Sequence, residues 1–417
     1  MALIKSLLLL TVFLTPLLGA GFSLGYEQIK VLFFILSITL IGFLWLFLKP
    51  KFKLTFVSLA SSLTIGILFL TSLTGLNPQI SFLGNYPYFQ GWILYIYLFL
   101  FSLFVRESKI KIEHWAKVLT LASVIVSFLA IKDWLLLNLF QIKIPNYAGR
   151  VVSSFGQPNF YAGFLLLCLP FSYYLTKSSN KKLNYLGVVG GLISIIAIFV
   201  SYSRTAIFLL LSLTYFYLIL RLSRVKRWIV VLFLTLIFSI SLLTSFYLRS
   251  GIIYKEFLEP SFTAGNVTNP ILNSVEKRAY IWPVLINLSL QKPFLGYGLE
   301  NIAPSFTNYF IERKHILFEE TNSVSDVLIR LKDLSLDRTH NYILDLMLFS
   351  GLFGVICWLL LVFALLKKIL SSNITLENDV LLSGLVIYLI WIQFQNQSIA
   401  QLVYFWFLVG MIDKDNH

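Results

Sequence analysis

Long apolar segments without charged residues recur along this chain, and they limit its fold more than any other feature. A helix needs roughly 20 apolar residues to cross the hydrocarbon core of a bilayer, and an uncharged segment of that length is the usual sign of one. The sequence contains about twelve such segments. They are Ser6–Phe22, Val31–Leu48, Leu54–Leu73, Gly91–Val105, Val118–Leu139, Phe160–Leu175, Leu186–Val200, Thr205–Leu220, Ile229–Leu248, Tyr342–Leu366, Val380–Phe394 and Ile399–Ile412.

The composition agrees with this pattern. The 417 residues are 58% hydrophobic and only 12% charged, far outside the range of soluble domains. The sequence therefore predicts an all-α polytopic membrane protein with about 12 transmembrane helices, in a single membrane domain over residues 1–417. The first segment fits a retained span better than a cleaved signal peptide. The last two segments are short and rich in Gln, so they form either a tilted pair or a re-entrant hairpin.

The basic residues predict the orientation. The net charge of +14 comes from Lys and Arg in alternate short connections, as the positive-inside rule expects, so nucleic acid is not an expected partner. These connections contain Lys49, Lys51 and Lys53; Arg106, Lys109 and Lys111; Lys177, Lys181 and Lys182; Arg221, Arg224, Lys226 and Arg227; and Lys367 and Lys368. The intervening short connections contain only Lys30, Lys143, Arg150 and Arg204. Both termini are therefore predicted in the cytoplasm, and one large loop, 249–340 between the ninth and tenth spans, is extracytoplasmic.

That loop is predicted to contain short amphipathic helices. One has Pro283 in its first turn, where proline is tolerated, and ends at Lys292–Pro293. Gly296 and Gly298 then mark a turn that needs backbone freedom. A second helix is predicted to start near Pro304.

His340, immediately before the tenth span, is the candidate base. Histidine titrates near neutrality, which suits it to accept a proton from a hydroxyl group. The other histidines do not cluster with it, so no metal site and no cofactor are expected. Asp345 is expected to be structural, with its carboxylate bonded to Asn341 at the i, i+4 spacing.

On this topology Arg204, Arg278, Arg338 and His340 lie on the outer side of the membrane. A guanidinium group is planar and permanently charged, which suits it to bind phosphate oxygens. Several arginines beside one base would therefore fit a lipid-anchored diphosphate that a hydroxyl attacks. The arginines would neutralise the leaving diphosphate, a task that many phosphate enzymes give to a metal ion.

Four stretches of the chain carry recognisable motifs: SSFGQPNFYAGFLLL from Ser153, SYSRTAIFLL from Ser201, RAYIWPVLINLSLQKPFLGYG from Arg278 and DRTHNYILDLMLFSGLFG from Asp337. In order and spacing they resemble the O-antigen ligase and polymerase family of bacterial membrane glycosyltransferases. The resemblance covers roughly Phe155–Leu366.

This resemblance implies an activity and roles for individual residues. The family transfers a glycan from an undecaprenyl-diphosphate donor to an acceptor hydroxyl, on the outer face of the cytoplasmic (inner) membrane and without a metal. Carried over by motif, Arg204 and Arg278 would hold the donor diphosphate, and His340 would be the base or would orient the acceptor. The acceptor would be a glycan, a lipid or a protein, and the membrane lipid itself is a partner.

Four further residues are candidates for substrate binding. Arg338 and Arg150 qualify by position rather than by motif. Gln157 and Asn159 either line the cavity or only cap the helix that begins near Phe160.

Three alternatives stay open. A polymerase of lipid-linked repeat units would use the same chemistry within the same family. A transporter or lipid flippase would show inverted repeats or polar helices near the midplane, whereas here the polar groups cluster at one surface. A scaffold in an envelope polysaccharide complex would leave the arginines and the histidine unexplained.

Overall fold

The computed structural model describes residues 1–20, 24–47, 53–222, 282–308 and 337–414, and these residues are mainly helical. The helices are α1 (Ala2–Leu14), α2 (Tyr26–Leu46), α3 (Phe56–Leu73), α4 (Pro78–Leu83), α5 (Trp92–Ser108), α6 (Ile112–Asn138), α7 (Pro158–Thr176), α8 (Lys181–Val200), α9 (Arg204–Leu222), α10 (Tyr342–Ser371), α11 (Leu376–Trp391) and α12 (Ile399–Asp413). Residues 282–291 and 302–308 are also helical. An antiparallel hairpin, β1 (Asn146–Tyr147) and β2 (Arg150–Val151), and a 3₁₀ turn (Ser153–Phe155) connect α6 to α7.

Each predicted apolar segment within the described residues contains a helix, as expected for a multi-pass membrane protein. Among those residues, five helices are long and apolar enough to cross a membrane: α2, α3, α6, α8 and α10. The predicted span Ile229–Leu248 and most of the predicted loop 249–340 lie outside the described residues. The number of about 12 spans and the layout of the loop therefore stay predictions.

The chain divides into two compact units. The first comprises Met1–Gly66, Leu83–Arg224 and Cys357–His417, and the second comprises Ile67–Phe82 and Val225–Ile356.

In the first unit, α7 and α12 form the centre of the core. Most of α7 is buried, because it packs against α6, α8 and α11. All 15 residues of α12 are buried, and its main neighbour is α5. A helix that is apolar on every side is typical of such a fully surrounded position. By contrast, α8 exposes Leu192 and Ile196, as expected of a helix that faces lipid.

The connection between α11 and α12 is a buried polar segment rather than a simple turn. Residues 392–398 are not α-helical, and Gln393, Gln395, Asn396 and Gln397 are all buried. Backbone of this kind is tolerated at membrane depth only where protein groups satisfy its hydrogen bonds. The two short final segments are thus helices that meet at an internal polar loop.

Lys30 departs from the expectation that it lies in a short connection. It lies inside α2, one turn after Glu27, and its side chain is fully buried. The carboxylate of Glu27 lies 3.6 Å from the Lys30 ammonium group, and this partner makes the burial possible.

In the second unit, the predicted glycine turn packs against a break in α10. The backbone of Gly351 is non-helical, with φ +60° and ψ −161°, so α10 consists of two helical segments that meet there. The Leu352 amide donates to the Pro293 carbonyl oxygen at 2.7 Å, and the Tyr297 amide donates to that of Leu348 at 2.7 Å. Residues 293–298 therefore form hydrogen bonds with backbone groups that have no partner within α10 because of the break.

The geometry of this turn confirms the predicted need for glycine. Gly296 and Gly298 have φ +64° and +88°, where glycine carries no steric penalty. Helical structure ends at residue 291, as the Lys292–Pro293 pair predicts.

Candidate functional site

Arg204 lies in the tight turn between α8 and α9. The Ser201 hydroxyl donates to the Ile198 carbonyl oxygen at 2.6 Å and accepts from the Ser203 amide at 2.9 Å. Tyr202 between them has φ +51°, a left-handed conformation that is uncommon for residues other than glycine. Helix α9 begins at Arg204, whose side chain is exposed. The turn therefore holds a permanent positive charge at the surface of the unit.

The β1–β2 hairpin brings a second arginine to this turn. Arg150 Nε donates to the Ser201 carbonyl oxygen at 3.0 Å, and its Nη2 donates to Asn159 Oδ1 at 3.0 Å. Burial lowers the pKa of Arg150, and the nearby charge of Arg204 lowers it further. Because the unperturbed pKa of arginine is so high, Arg150 stays protonated. The hairpin thus adds a second positive charge to the turn that carries Arg204.

Amide and hydroxyl groups extend this contact into a chain of hydrogen bonds. Asn159 Nδ2 donates to Gln395 Oε1 at 3.0 Å, and Gln395 Nε2 donates to Thr205 Oγ1 at 2.8 Å. We call Arg150, Asn159, Gln395 and Thr205 the arginine network. It links the hairpin, the start of α7, the start of α9 and the polar loop before α12.

The arginine network differs from the other arginine sites in its charge balance. Arg106 and Arg338 each form an ion pair with a buried carboxylate. Neither Arg150 nor Arg204 forms an ion pair with any residue that the structure describes. Arg150, held by neutral partners, and the exposed Arg204 together produce a local positive potential, which an anionic ligand would neutralise.

Gln157 occupies the N-cap position of α7 but makes no capping hydrogen bond through its side chain. Its Oε1 atom is buried and accepts no hydrogen bond from the described residues. Asn159, in the first turn of α7, binds Arg150 and Gln395 instead of capping the helix. The sequence predicts that these side chains either line the cavity or cap the helix. Neither side chain caps α7.

In the second unit, residues 338–341, which we call the histidine turn, precede α10. His340 is half-buried and has φ +61°, an uncommon conformation for a residue that carries a Cβ. Trp282 Nε1 donates to the Thr339 carbonyl oxygen at 2.9 Å. The Thr339 hydroxyl donates to the Asn341 carbonyl oxygen at 2.7 Å. Hydrogen bonds on both sides of His340 therefore fix a strained backbone, which is a frequent property of functional sites.

Asp345 contributes to this turn differently from the expectation. Its carboxylate accepts from the Thr339 amide at 2.8 Å rather than bonding to the Asn341 side chain. The Asn341 side chain instead caps α10, where its Oδ1 accepts from the Leu344 amide at 3.0 Å. The chain turns back at His340, and this reversal brings the Thr339 amide to Asp345.

Arg338 points into the interior of the second unit. Its guanidinium donates to Glu300 and lies 4.7 Å from the centre of the Phe349 ring. Burial raises the pKa of Glu300, and the charge of Arg338 opposes this shift. Only 5% of Arg338 is exposed, so its guanidinium group is buried together with this carboxylate.

The structure thus brings Arg150, Asn159 and Arg204 together in the first unit and places Arg338 and His340 at one turn of the second. Arg278 lies outside the described residues. Gln395 was not among the predicted site residues. The available signal was the run of Gln and Asn within an apolar region, where polar side chains are costly and usually have a function.

A model of the O-antigen ligase family matches residues 189–359. That segment includes the turn at Arg204, the helix at Trp282 and the histidine turn.

Two curated proteins of Acinetobacter baylyi are also similar. One, named general O-oligosaccharyltransferase, is 26% identical over 298 residues, which are 70% of this chain and 48% of that protein. The other, named ComP-specific O-oligosaccharyltransferase, is 25% identical over 362 residues, which are 86% of this chain and 55% of that protein. The chain therefore spans about half the length of the curated relatives that it matches.

Proposed function

We propose that this chain belongs to the O-antigen ligase family, as the match over residues 189–359 supports, and that it transfers a glycan from a lipid-linked donor to an acceptor hydroxyl. The donor is undecaprenyl-diphosphate-linked, and the reaction takes place on the outer face of the bacterial cytoplasmic membrane. The names of the two Acinetobacter baylyi relatives support transfer of an oligosaccharide to an oxygen atom.

The observation that carries this proposal is the uncompensated charge at the turn between α8 and α9. Arg150 donates to the carbonyl oxygen of Ser201, three residues before Arg204, and neither arginine has a carboxylate partner among the described residues. A diphosphate carries negative charge on several oxygens, so it would bind both guanidinium groups. The arginine network would hold Arg150 ready for this ligand at no cost in reorganisation.

The reaction follows from these roles. The acceptor hydroxyl oxygen attacks the anomeric carbon of the donor sugar, and a new C–O bond forms. The bond between that carbon and the diphosphate oxygen breaks, and undecaprenyl diphosphate leaves with the bonding electrons. His340 takes the hydroxyl proton as general base. Arg204, Arg150 and Arg278 stabilise the charge that develops on the diphosphate.

The histidine turn suits a group that must be oriented accurately. Hydrogen bonds to Thr339 and Asn341 fix the backbone on both sides of His340. A general base needs its nitrogen within about 3 Å of the proton that it removes, so a fixed backbone favours the reaction.

A polymerase that uses a second lipid-linked repeat unit as acceptor would share every step of this chemistry. Glycan profiles distinguish the two activities. The measurement uses source cells that lack the gene, complemented with wild type, Arg204→Met or Lys143→Met, and profiles lipid-linked and surface glycans. Lys143 is an exposed basic residue near the hairpin and serves as the matched control.

We expect wild type and Lys143→Met to restore the surface glycan, and Arg204→Met not to restore it. Long glycans that accumulate on the lipid carrier would identify a ligase, and single repeat units on the carrier would identify a polymerase. If deletion leaves both pools unchanged, or if Arg204→Met restores them fully, the proposed function is wrong.

A further inference from the structure

Glu27 and Lys30 form a buried ion pair in α2 that the proposed chemistry does not use. Lys30 is fully buried and Glu27 is 5% exposed. Their charged groups lie 3.6 Å apart, on consecutive turns of the helix. Burial of two charges is costly, and well-packed apolar residues of similar size are often at least as stabilising. Stability alone therefore does not explain this pair.

Each member of the pair also binds backbone outside α2. Lys30 Nζ donates to the Ser154 carbonyl oxygen at 2.8 Å and lies 4.1 Å from the centre of the Phe155 ring. Glu27 Oε2 accepts from the Ile399 amide at 2.6 Å. The pair therefore links the 3₁₀ turn before α7 to the first residue of α12.

These two contacts flank the arginine network along the chain. Ser154 lies five residues before Asn159, and Ile399 lies four residues after Gln395. Asn159 and Gln395 are the two members that hydrogen-bond to each other and so connect Arg150 to Thr205. A shift of either flanking segment would change the distance between these two amides.

Further hydrogen bonds between side chains and backbone lie next to these two contacts. The Ser154 hydroxyl donates to the Pro16 carbonyl oxygen at 2.7 Å, and Gln90 Nε2 donates to the Gln397 carbonyl oxygen at 2.8 Å. Neither segment is α-helical at these residues, so its backbone position depends on such side-chain partners.

We propose that the Glu27–Lys30 pair is a positioning device, which fixes the segments that carry Asn159 and Gln395 and thereby presents Arg150 to the lipid-linked donor. This proposal rests on the proposed function. Glu27 and Lys30 are positioning residues rather than catalytic ones, because they act on the donor through the arginine network.

The test compares wild type, Lys30→Met and the double variant Glu27→Gln/Lys30→Met as full-length protein reconstituted in lipid. Lys30→Met leaves a buried carboxylate without its cation and should lower thermal stability. The double variant removes both charges and keeps an oxygen that accepts from the Ile399 amide, so stability should recover. The Ser154 carbonyl oxygen still lacks its donor, so KM for the lipid-linked donor should stay raised about tenfold, with kcat changed less.

The control is Arg106→Met, which removes one of the two cations, Arg106 and Lys368, that contact the buried Asp413 at the other end of α12. It should lower stability, by less than Lys30→Met because Lys368 remains beside Asp413, and leave the donor KM near the wild-type value. If the double variant recovers both stability and KM, or if Arg106→Met raises KM equally, the pair has only a structural role and the inference is wrong.

Hydrogen exchange gives a readout that does not depend on activity. In the double variant, amides in 153–160 should exchange faster than in wild type, whereas amides in the middle of α5 should not change. Unchanged exchange in 153–160 would overturn the inference. If the double variant exchanges faster there but the wild-type protein transfers no glycan, the proposed function alone is wrong.

Discussion

Replacing Arg338 with methionine is expected to destabilise the protein by about 3–5 kcal/mol, because this change removes one partner of a buried ion pair. Arg338 and Glu300 have side chains that are 6% and 5% exposed, so water cannot solvate the carboxylate that remains. The substitution also removes the contact between the guanidinium group and the Phe349 ring.

The double variant Glu300→Leu/Arg338→Met distinguishes the effect of losing the ion pair from the cost of leaving one buried charge unpaired. Both charges are absent from it, so its stability should return to within about 1 kcal/mol of wild type. The assay is unfolding of the purified protein in detergent micelles by titration with sodium dodecyl sulfate. Nine tryptophan residues provide the fluorescence signal.

If Arg338→Met costs less than about 1 kcal/mol, the value expected of an exposed pair, the reasoning from burial fails. Arg338 would then be available to bind donor phosphate, as its position in the sequence predicts.

Two further substitutions test other parts of the account. Gly351→Ala should destabilise the protein by more than about 2 kcal/mol, because the backbone at this position has a φ of +60° and an added Cβ would lie 2.3 Å from the Phe294 carbonyl carbon. The control is Gly66→Ala, where an added Cβ would have nothing within 4 Å. It should be neutral or stabilising in the same unfolding titration. Asp345→Leu removes the acceptor for the Thr339 amide and should lower kcat about tenfold or more by releasing the histidine turn. Wild-type kcat in Asp345→Leu would refute that role.

Much of the fold could be predicted from the sequence, because the apolar segments are long and nearly free of charge. The helices α2, α3, α7 and α10 lie where hydropathy indicates, since a chain in lipid must satisfy its backbone hydrogen bonds within each helix. The turn at Gly296 and Gly298 could be predicted for a similar local reason, the need for positive φ.

The sequence did not reveal contacts between distant residues. Hydropathy alone assigns Lys30 to a connection, whereas its buried ammonium group binds the carbonyl oxygen of Ser154, 124 positions away. Gln395 joins the arginine network through Asn159, 236 positions away. Periodicity and local motifs carry no information about such pairs, because tertiary packing brings them together.

The sequence also does not reveal which arginines have a carboxylate partner. The sequence presents Arg204 as a candidate for phosphate binding by motif, and Arg150 and Arg338 as candidates by position. The structure distinguishes them, because Arg338 has a buried carboxylate partner and the other two have no ion-pair partner among the described residues. This distinction rests on Glu300, 38 positions before Arg338.

The most direct test of the account is glycan transfer by the purified full-length protein in lipid, with an undecaprenyl-diphosphate-linked oligosaccharide as donor. It compares wild type, His340→Ala and the exposed-histidine control His114→Ala, and it measures donor binding separately. His340→Ala should lower kcat at least about 100-fold, the usual contribution of a general base, while donor affinity and the His114→Ala rate stay near wild type. Transfer by His340→Ala at the wild-type rate would contradict the role of His340 as the base.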